Sequence, residues 1–458
     1  HKLPLASLAR RAHLPHLSIR WLNPIVRPNA KSAIVASDEE RAEYAGALTA
    51  IGAVAEAIEI LQKINGNKIP DALLFLAFAH FSKWEYEQSV PILKQYIQSP
   101  LISDYQKIVG RVNLAAAYVH ERMDAEAHEL LAQIEEQSGK LALHRVLSHV
   151  HLRQAELAIE CQRFSEANTL IQKAEDTLKD KVIFDNFFIS KWKAINKFIE
   201  HPTDSASLMG LGAIKANATK LQHWETIRDC DRYRAIYRRE SKLIEHLYFG
   251  TPHDSFKHRL LKLWGQPIHL PEHHLWTIGE GAAPKELDLF SAKKKSSIKE
   301  GQLFYRLAAT LSSDFYRPFR LAELHAALFP GEYYNPVSAP LRIHQVLFRA
   351  RHLMKKHCQN LQVIENDGLY SWASTKPLQL LIPNKNLCKN AFEIHLDKLR
   401  ENFLRPFSTA EAVQFLKVSR AWARAIISHG IAAGLVTREG SGVQTRIRFL
   451  DVRGKKAA

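Results

Sequence analysis

Between Asp38 and about Leu178, apolar residues recur every three or four positions and strand-like alternation is nearly absent, so the pattern predicts consecutive amphipathic helices. Small residues punctuate it. Ala45 and Ala57, Ala77 and Ser89, Ala115 and Ala127, and Ala155 and Ala167 form four pairs, each twelve residues apart. A turn falls inside each pair, at Gly52, Lys83-Trp84, Arg122-Met123 and Arg163-Phe164. Small side chains on both sides of a turn let the two helices of a hairpin approach closely. Bulkier neighbours such as Leu73, Phe78 and Leu93 then fill the space to the next hairpin. Helical periodicity continues over Phe184 to Ile199, Ser205 to Ala218 and Trp224 to Tyr248, expected as atypical capping repeats.

The pattern changes after Phe249. Residues 249–298 hold Pro252, Pro267, Pro271, Pro284 and the run Lys293-Lys-Lys-Ser-Ser, which marks a connector. Within it, Leu275 to Gly279 and Glu286 to Phe290 read as two short strands. Beyond it, helices followed by a hairpin are written twice. The first unit predicts helices at Lys299 to Leu311, Leu321 to Phe329 and Ala339 to about Lys356. Strands then flank the turn Asn366-Asp367-Gly368. The second predicts a helix at Leu387 to Phe403, a helix capped by Ser408 or Thr409 with Glu411 in its first turn, and a third capped by Ser419. A hairpin entered at Gly434 returns over Gln444 to Leu450. The phrases Tyr316-Arg-Pro-Phe-Arg-Leu-Ala-Glu-Leu and Leu404-Arg-Pro-Phe-Ser-Thr-Ala-Glu-Ala mark the repetition.

The paired small residues resemble the tetratricopeptide repeat, which separates its small positions in this way. Successive pairs here stand 32, 38 and 40 residues apart, whereas that family repeats every about 34. The first helix-and-hairpin unit resembles OmpR-type winged helices, including those of antibiotic regulatory proteins. Ile343, Leu347, Ala350-Arg351 and Met354 fall where that family has Val, Ile, Leu-Arg and Leu, and Asn335-Pro336 falls near its Asp-Pro. The stretch from Val418-Ser-Arg to Arg438-Glu-Gly resembles the recognition helix and wing of MarR-like regulators, with Gly430 where a core Leu is usual. These resemblances imply a mainly α chain. An α-solenoid of tetratricopeptide-like hairpins (38–248) would be followed by the connector (249–298) and two α+β winged helices (299–376 and 387–452), then a basic tail (453–458).

Such modules would lie against duplex DNA. On the third helix of the first unit, Arg342, Gln345, Arg349, His352 and Lys356 oppose the apolar face and are candidate DNA contacts. In the second, Arg420 and Arg424 stand one turn apart for the major groove, while Arg438, Arg446 and Arg448 would grip phosphates. Trp422 is read as a packing residue. A concave repeat groove would hold a peptide or protein, with Arg111, Asn113, Arg145 and Arg153 as candidate contacts; solvated surface positions are the competing reading.

Charge sharpens the picture. The 458 residues carry a net +16; residues 1–250 hold 32 Lys+Arg against 30 Asp+Glu, and residues 251–458 hold 31 against 17. The excess therefore sits with the winged-helix pattern, as polyanion binding requires. Residues 1–37 contain Lys2, Arg10, Arg11, Arg20, Arg27 and Lys31 and no acid. They read as a flexible basic arm, with a targeting remnant or a degenerate helix-turn-helix around Leu8 as alternatives. The start at His1 points to a missing or processed native N-terminus.

Other chemistry finds little support. Cys161, Cys230, Cys358 and Cys388 form no CxxC pair, which fits a reducing cytoplasm. No apolar run reaches the roughly 20 residues that span a bilayer. His269 and His273 have ligand-like spacing with His274 beside them, but Pro271 opposes the helix such a metal pair needs. Gly210-Leu-Gly212 follows no strand and is no phosphate loop. No nucleophile–base set is legible, so the expectation is a non-enzymatic regulator without cofactors. The alternative is a scaffold whose repeats and winged helices both bind proteins. Oligomeric state stays open: repeat arrays pair readily, yet two modules in one chain can read two half-sites.

Overall fold

The computed structural model describes residues 2–28, 35–178, 183–290, 300–358, 360–384, 391–440 and 445–450. The chain is predominantly helical, with 21 helices and eight short strands among these residues, the strands all beyond residue 272.

Fifteen helices come first: α1 (Leu3–Arg11), α2 (Pro15–Val26), α3 (Asp38–Ile51), α4 (Val54–Leu61), α5 (Pro70–Phe81), α6 (Tyr86–Gln98), α7 (Asp104–Glu121), α8 (Asp124–Lys140), α9 (His144–Glu160), α10 (Phe164–Thr177), α11 (Ile183–Glu200), α12 (Ser205–Lys220), α13 (Trp224–Tyr237), α14 (Ser241–Phe249) and α15 (Asp254–Trp264). All eight small residues of the four pairs are solvent-inaccessible. Each pair brackets one residue in the left-handed region, always seven places after its first member: Gly52 (φ 96°), Trp84 (61°), Arg122 (58°) and Gln162 (58°). Ser89 replaces alanine at no cost in polarity, because its hydroxyl donates to the Ala77 carbonyl at 3.2 Å. Capping boxes at Ser37–Glu40 and Ser103–Gln106 start α3 and α7.

The N-terminal expectation is corrected. Residues 3–26 form a helical hairpin packed on α3, with no flexible arm among them. Ala6 and Ser18 are a fifth pair, twelve apart and wholly buried, with left-handed His13 (φ 60°) seven places on. Two of its cations are balanced across the packing. Arg10 pairs with Glu43 at 2.5 Å and Arg27 with Glu56 at 3.1 Å. Lys31 lies outside the described residues.

Each helix packs on its successor, and odd-numbered helices also touch one another: α1 with α3, α3 with α5, α7 with α9, α9 with α11 and α11 with α13. Even-numbered helices of the array show no comparable contact among the described residues, so the more closely packed odd helices form the inner side of the stack. The span Trp224 to Tyr248, expected as one helix, breaks at left-handed Arg239 into α13 and α14. The connector also holds a helix the pattern did not predict, α15. It returns to the inner side of the array. There Phe256 meets the Trp84 ring edge-on at 4.9 Å, and Arg259 donates to His120 Nδ1 at 2.5 Å. Burial and nearby cations push the His120 pKa well down, which keeps that nitrogen free to accept.

The expected connector strands exist as β1 (His273–Ile278) and β2 (Lys285–Leu287). They do not pair with each other. Both flank an unanticipated strand, β6 (Leu378–Pro383), β1 antiparallel (Leu275 opposite Leu381) and β2 parallel. Between β2 and β6 lies the first helix-and-hairpin module: α16 (Leu303–Leu311), β3 (Phe319–Arg320), α17 (Leu321–Leu328), α18 (Ser338–His357), β4 (Leu361–Asn366) and β5 (Leu369–Ser374). Its sheet has the order β3-β5-β4, and Ile343, Leu347, Ala350 and Met354 from α18 share its core. The second module comprises α19 (Ala391–Asn402), α20 (Thr409–Leu416), α21 (Arg420–Ala432) and the hairpin β7 (Val436–Glu439) with β8 (Arg446–Phe449).

The first module is fastened to the array twice. Arg228 of α13 binds Asp314, both side chains being fully buried. At the other end, Ala322, Tyr334 and Ala339 enter the core of α2 to α4, and the Tyr334 N–H donates to the Glu56 carboxylate at 2.6 Å. Second-module elements make no more than slight contact with any other element among the described residues.

Candidate nucleic-acid interface

In the second module, the Ser408–Glu411 capping box starts α20 and left-handed Lys417 ends it. Ser419 then caps α21, accepting the Trp422 N–H at 3.2 Å. Ala423, Ile426 and Ile427 are buried, while Arg420 and Arg424 lie to one side of that face, where both are exposed. Gly430 is buried between α19 and the hairpin. A Cβ there would stand 2.8 Å from Leu396 Cδ2 and 3.0 Å from Val436, so those methyl groups would have to shift to admit a side chain. Trp422 lies against Phe392, ring centroids 4.7 Å apart, which is a packing role. Left-handed Gly434 (φ 68°) turns the chain into the hairpin.

The hairpin cations divide. Arg438 is exposed, and like Arg420 and Arg424 it has no ion-pair partner among the described residues. Arg446 reaches back to Glu411 at 2.7 Å, and Arg448 pairs with Glu439 at 3.1 Å. Their outward alternation is as expected, but both are committed within the module. The Ser408 contacts and then the Arg446 charge hold the Glu411 pKa below the usual carboxylate range.

The first module offers a different surface. Arg342 is held by Glu332 and lies over the Phe329 ring at 3.8 Å, so it is not an open contact. Gln345, Arg349, His352 and Lys356 are exposed, and the His352 ring packs on Phe348 at 4.5 Å. The start of α18 faces the N-terminal hairpin across a cleft. His16, Leu17 and Arg20 share a cleft of about 480 Å³ with Pro340 and with the hairpin tip Asp367-Gly368.

The groove candidates do not converge on an open site. Arg111 donates to Gln137 at 2.6 Å, Asn113 to its own helix at Val109, and Arg145 pairs with Asp185 at 3.2 Å. Arg153 pairs with Glu156 at 2.5 Å; burial opposes its charge, but Glu156 prevails and raises its pKa. Sequence reading missed the polar residues that fill the inner side: Tyr233 donates to Glu160 at 2.8 Å, Lys191 pairs with Asp229 at 2.7 Å, and Tyr86 stacks on His120 at 4.0 Å. No signal could have assembled them, because the partners lie up to 73 residues apart on separate helices.

Among the histidines weighed as ligands, His273 and His274 open β1, and His274 stacks on Phe249 at 5.2 Å. Of the cysteines, Cys230 is buried, Cys161 is exposed, and Cys388 lies outside the described residues. Among the described residues, no helix is long and apolar enough to cross a membrane. No family model matches the chain, and no curated protein sequence matches it.

Proposed function

We propose that this chain is a non-enzymatic, cytoplasmic DNA-binding transcription regulator. A tetratricopeptide-like solenoid carries two winged helices, and the second of them makes the duplex contact. The carrying observation is the exposed trio Arg420, Arg424 and Arg438. Two guanidinium groups project one turn apart from a capped helix, and the third sits on the adjoining hairpin, with no carboxylate among the described residues to neutralise them. Arg420 and Arg424 enter the major groove, and Arg438 meets a flanking phosphate. Arg446 and Arg448, steadied by Glu411 and Glu439, border the contact.

The test is fluorescence anisotropy of the full chain with a labelled random duplex of roughly 20 base pairs across a salt series. The wild-type affinity should fall steeply with salt. Arg420→Ala with Arg424→Ala should weaken it by about 10- to 100-fold and flatten the slope by roughly 0.9 for each phosphate no longer neutralised. Equal affinity and slope in both proteins would refute the assignment.

A second reading, an adaptor in which winged helices hold proteins, is favoured for the first module only. There Ala339 at the start of α18 is buried against α2 to α4, and the outward face carries exposed Leu341 and Phe348.

A further inference from the structure

We infer that the outward face of α18 is a docking surface for an acidic amphipathic helix of a partner protein. The helix buries Ile343, Val346, Leu347, Ala350 and Met354, which fixes the opposite face by period. Along that face run Val337 just ahead of the helix, Leu341 and Phe348, 72%, 63% and 63% exposed, with Gln345 and His352 beside them. Leu341 and Phe348 are two turns apart, about 10.5 Å along the axis. Large apolar side chains aligned in a row on a helix are the feature a second helix covers, ridge beside ridge.

The borders of the row say what kind of helix. Arg349 and Lys356 lie along one edge, and Arg351 and Lys355 along the other, all exposed. No Asp or Glu occurs between Glu332 and Glu365. Arg342, the remaining cation, is already neutralised by Glu332. A complementary partner therefore presents apolar residues at helical spacing, flanked on both sides by carboxylates.

The same face is poorly made for DNA. A reading helix centres hydrogen-bond donors on base edges and enters the groove by its N-terminal residues. Here Leu341 and Phe348 share the centre with Gln345 and His352. The N-terminal end carries Ala339, buried with Tyr334 against α2 to α4.

The experiment uses the full chain and a fluorescein-labelled 21-residue peptide with leucines at heptad a and d positions and glutamates elsewhere. A scrambled peptide of identical composition controls for charge alone. Binding of the patterned peptide should exceed that of the scrambled one at least tenfold. Leu341→Ser with Phe348→Ser should abolish that preference, and Arg349→Glu with Lys356→Glu should weaken binding at least tenfold. All four residues are exposed, so unchanged circular dichroism and melting temperature accompany the loss. Arg420→Ala with Arg424→Ala should leave peptide binding intact, which separates this inference from the DNA assignment. Equal binding of both peptides, or full binding by the serine variant, would overturn it. So would loss of duplex affinity in the serine variant, which would make α18 the DNA reader.

Discussion

Replacing Asp314 with alanine should destabilise the junction between the helical array and the first module by about 3–5 kcal/mol, the usual cost of stranding one partner of a buried pair. The geometry supports the upper part of that range. Arg228 Nη2 donates to both Asp314 oxygens at 2.8 and 2.9 Å, and neither side chain touches solvent. Asp314 also accepts the N–H groups of Tyr316 and Arg317 at 3.0 and 3.2 Å, so its removal orphans one buried and one part-buried donor besides the guanidinium. Glu225 stays with Arg228 at 2.6 Å, but it is half-exposed and cannot replace both bonds. Burial alone would ease the proton off Arg228; Asp314 and Glu225 outweigh it and raise the pKa above the ordinary arginine value. Urea unfolding followed by tryptophan fluorescence reports the site, because Trp224, Trp276 and Trp372 line the adjoining cleft. The control is Arg228→Leu with Asp314→Leu. Apolar residues in both places leave no charge stranded, so the double variant should lose less than the two single variants summed. A loss under about 1 kcal/mol for Asp314→Ala, or strict additivity in the cycle, would refute the reasoning.

Ala6→Leu should cost about 1–3 kcal/mol by overpacking the first hairpin, read as a lower melting temperature; a free arm would tolerate leucine without change. Acidification should destabilise the fold through His253. Its burial, with Arg228 nearby, lowers its pKa from 6.5 to about 3, so on acidification the unfolded chain takes up the proton first. Stability from this group is therefore constant above about pH 6.5 and declines between there and about pH 3. His274, lowered to about 4, acts in the same direction. His253→Gln should show a smaller drop in melting temperature between pH 7 and pH 5 than the wild type; equal drops would count against the account.

The hairpins were legible because close helix approach leaves a local mark, a small residue on either side of a turn at fixed separation. Ala6 and Ser18 bear the same mark, but the surrounding cations suggested an arm. Their partners Glu43 and Glu56 lie 33 and 29 residues away, so charge summed along a window misstates charge balanced across a contact. Distance also hid β6, whose antiparallel partner β1 lies about a hundred residues earlier. The cationic positions of the second module were readable, since helical and strand periods dictate which side chains point outward. Which of those cations remain uncommitted was not. Arg446 meets a glutamate 35 residues away, and a single favourable rotamer decides that meeting.

These long-range contacts also divide the labour between the modules. The inner side of the array already holds α15, with Phe256 against Trp84 and Arg259 against His120. The first module is fastened at Arg228–Asp314 on one side and at Tyr334–Glu56 on the other. A peptide entering that groove would have to displace the chain's own helix, at the cost of buried aromatic and charge-assisted contacts. Outer surfaces are open without that cost, and the face of α18 is one of them. The second module shares no such fastening with the array and keeps three uncommitted guanidinium groups among the described residues. On the proposed reading, the fixed module recruits and the unfastened one engages DNA, because docking against a polyanion needs a body that can reorient while the array keeps its shape.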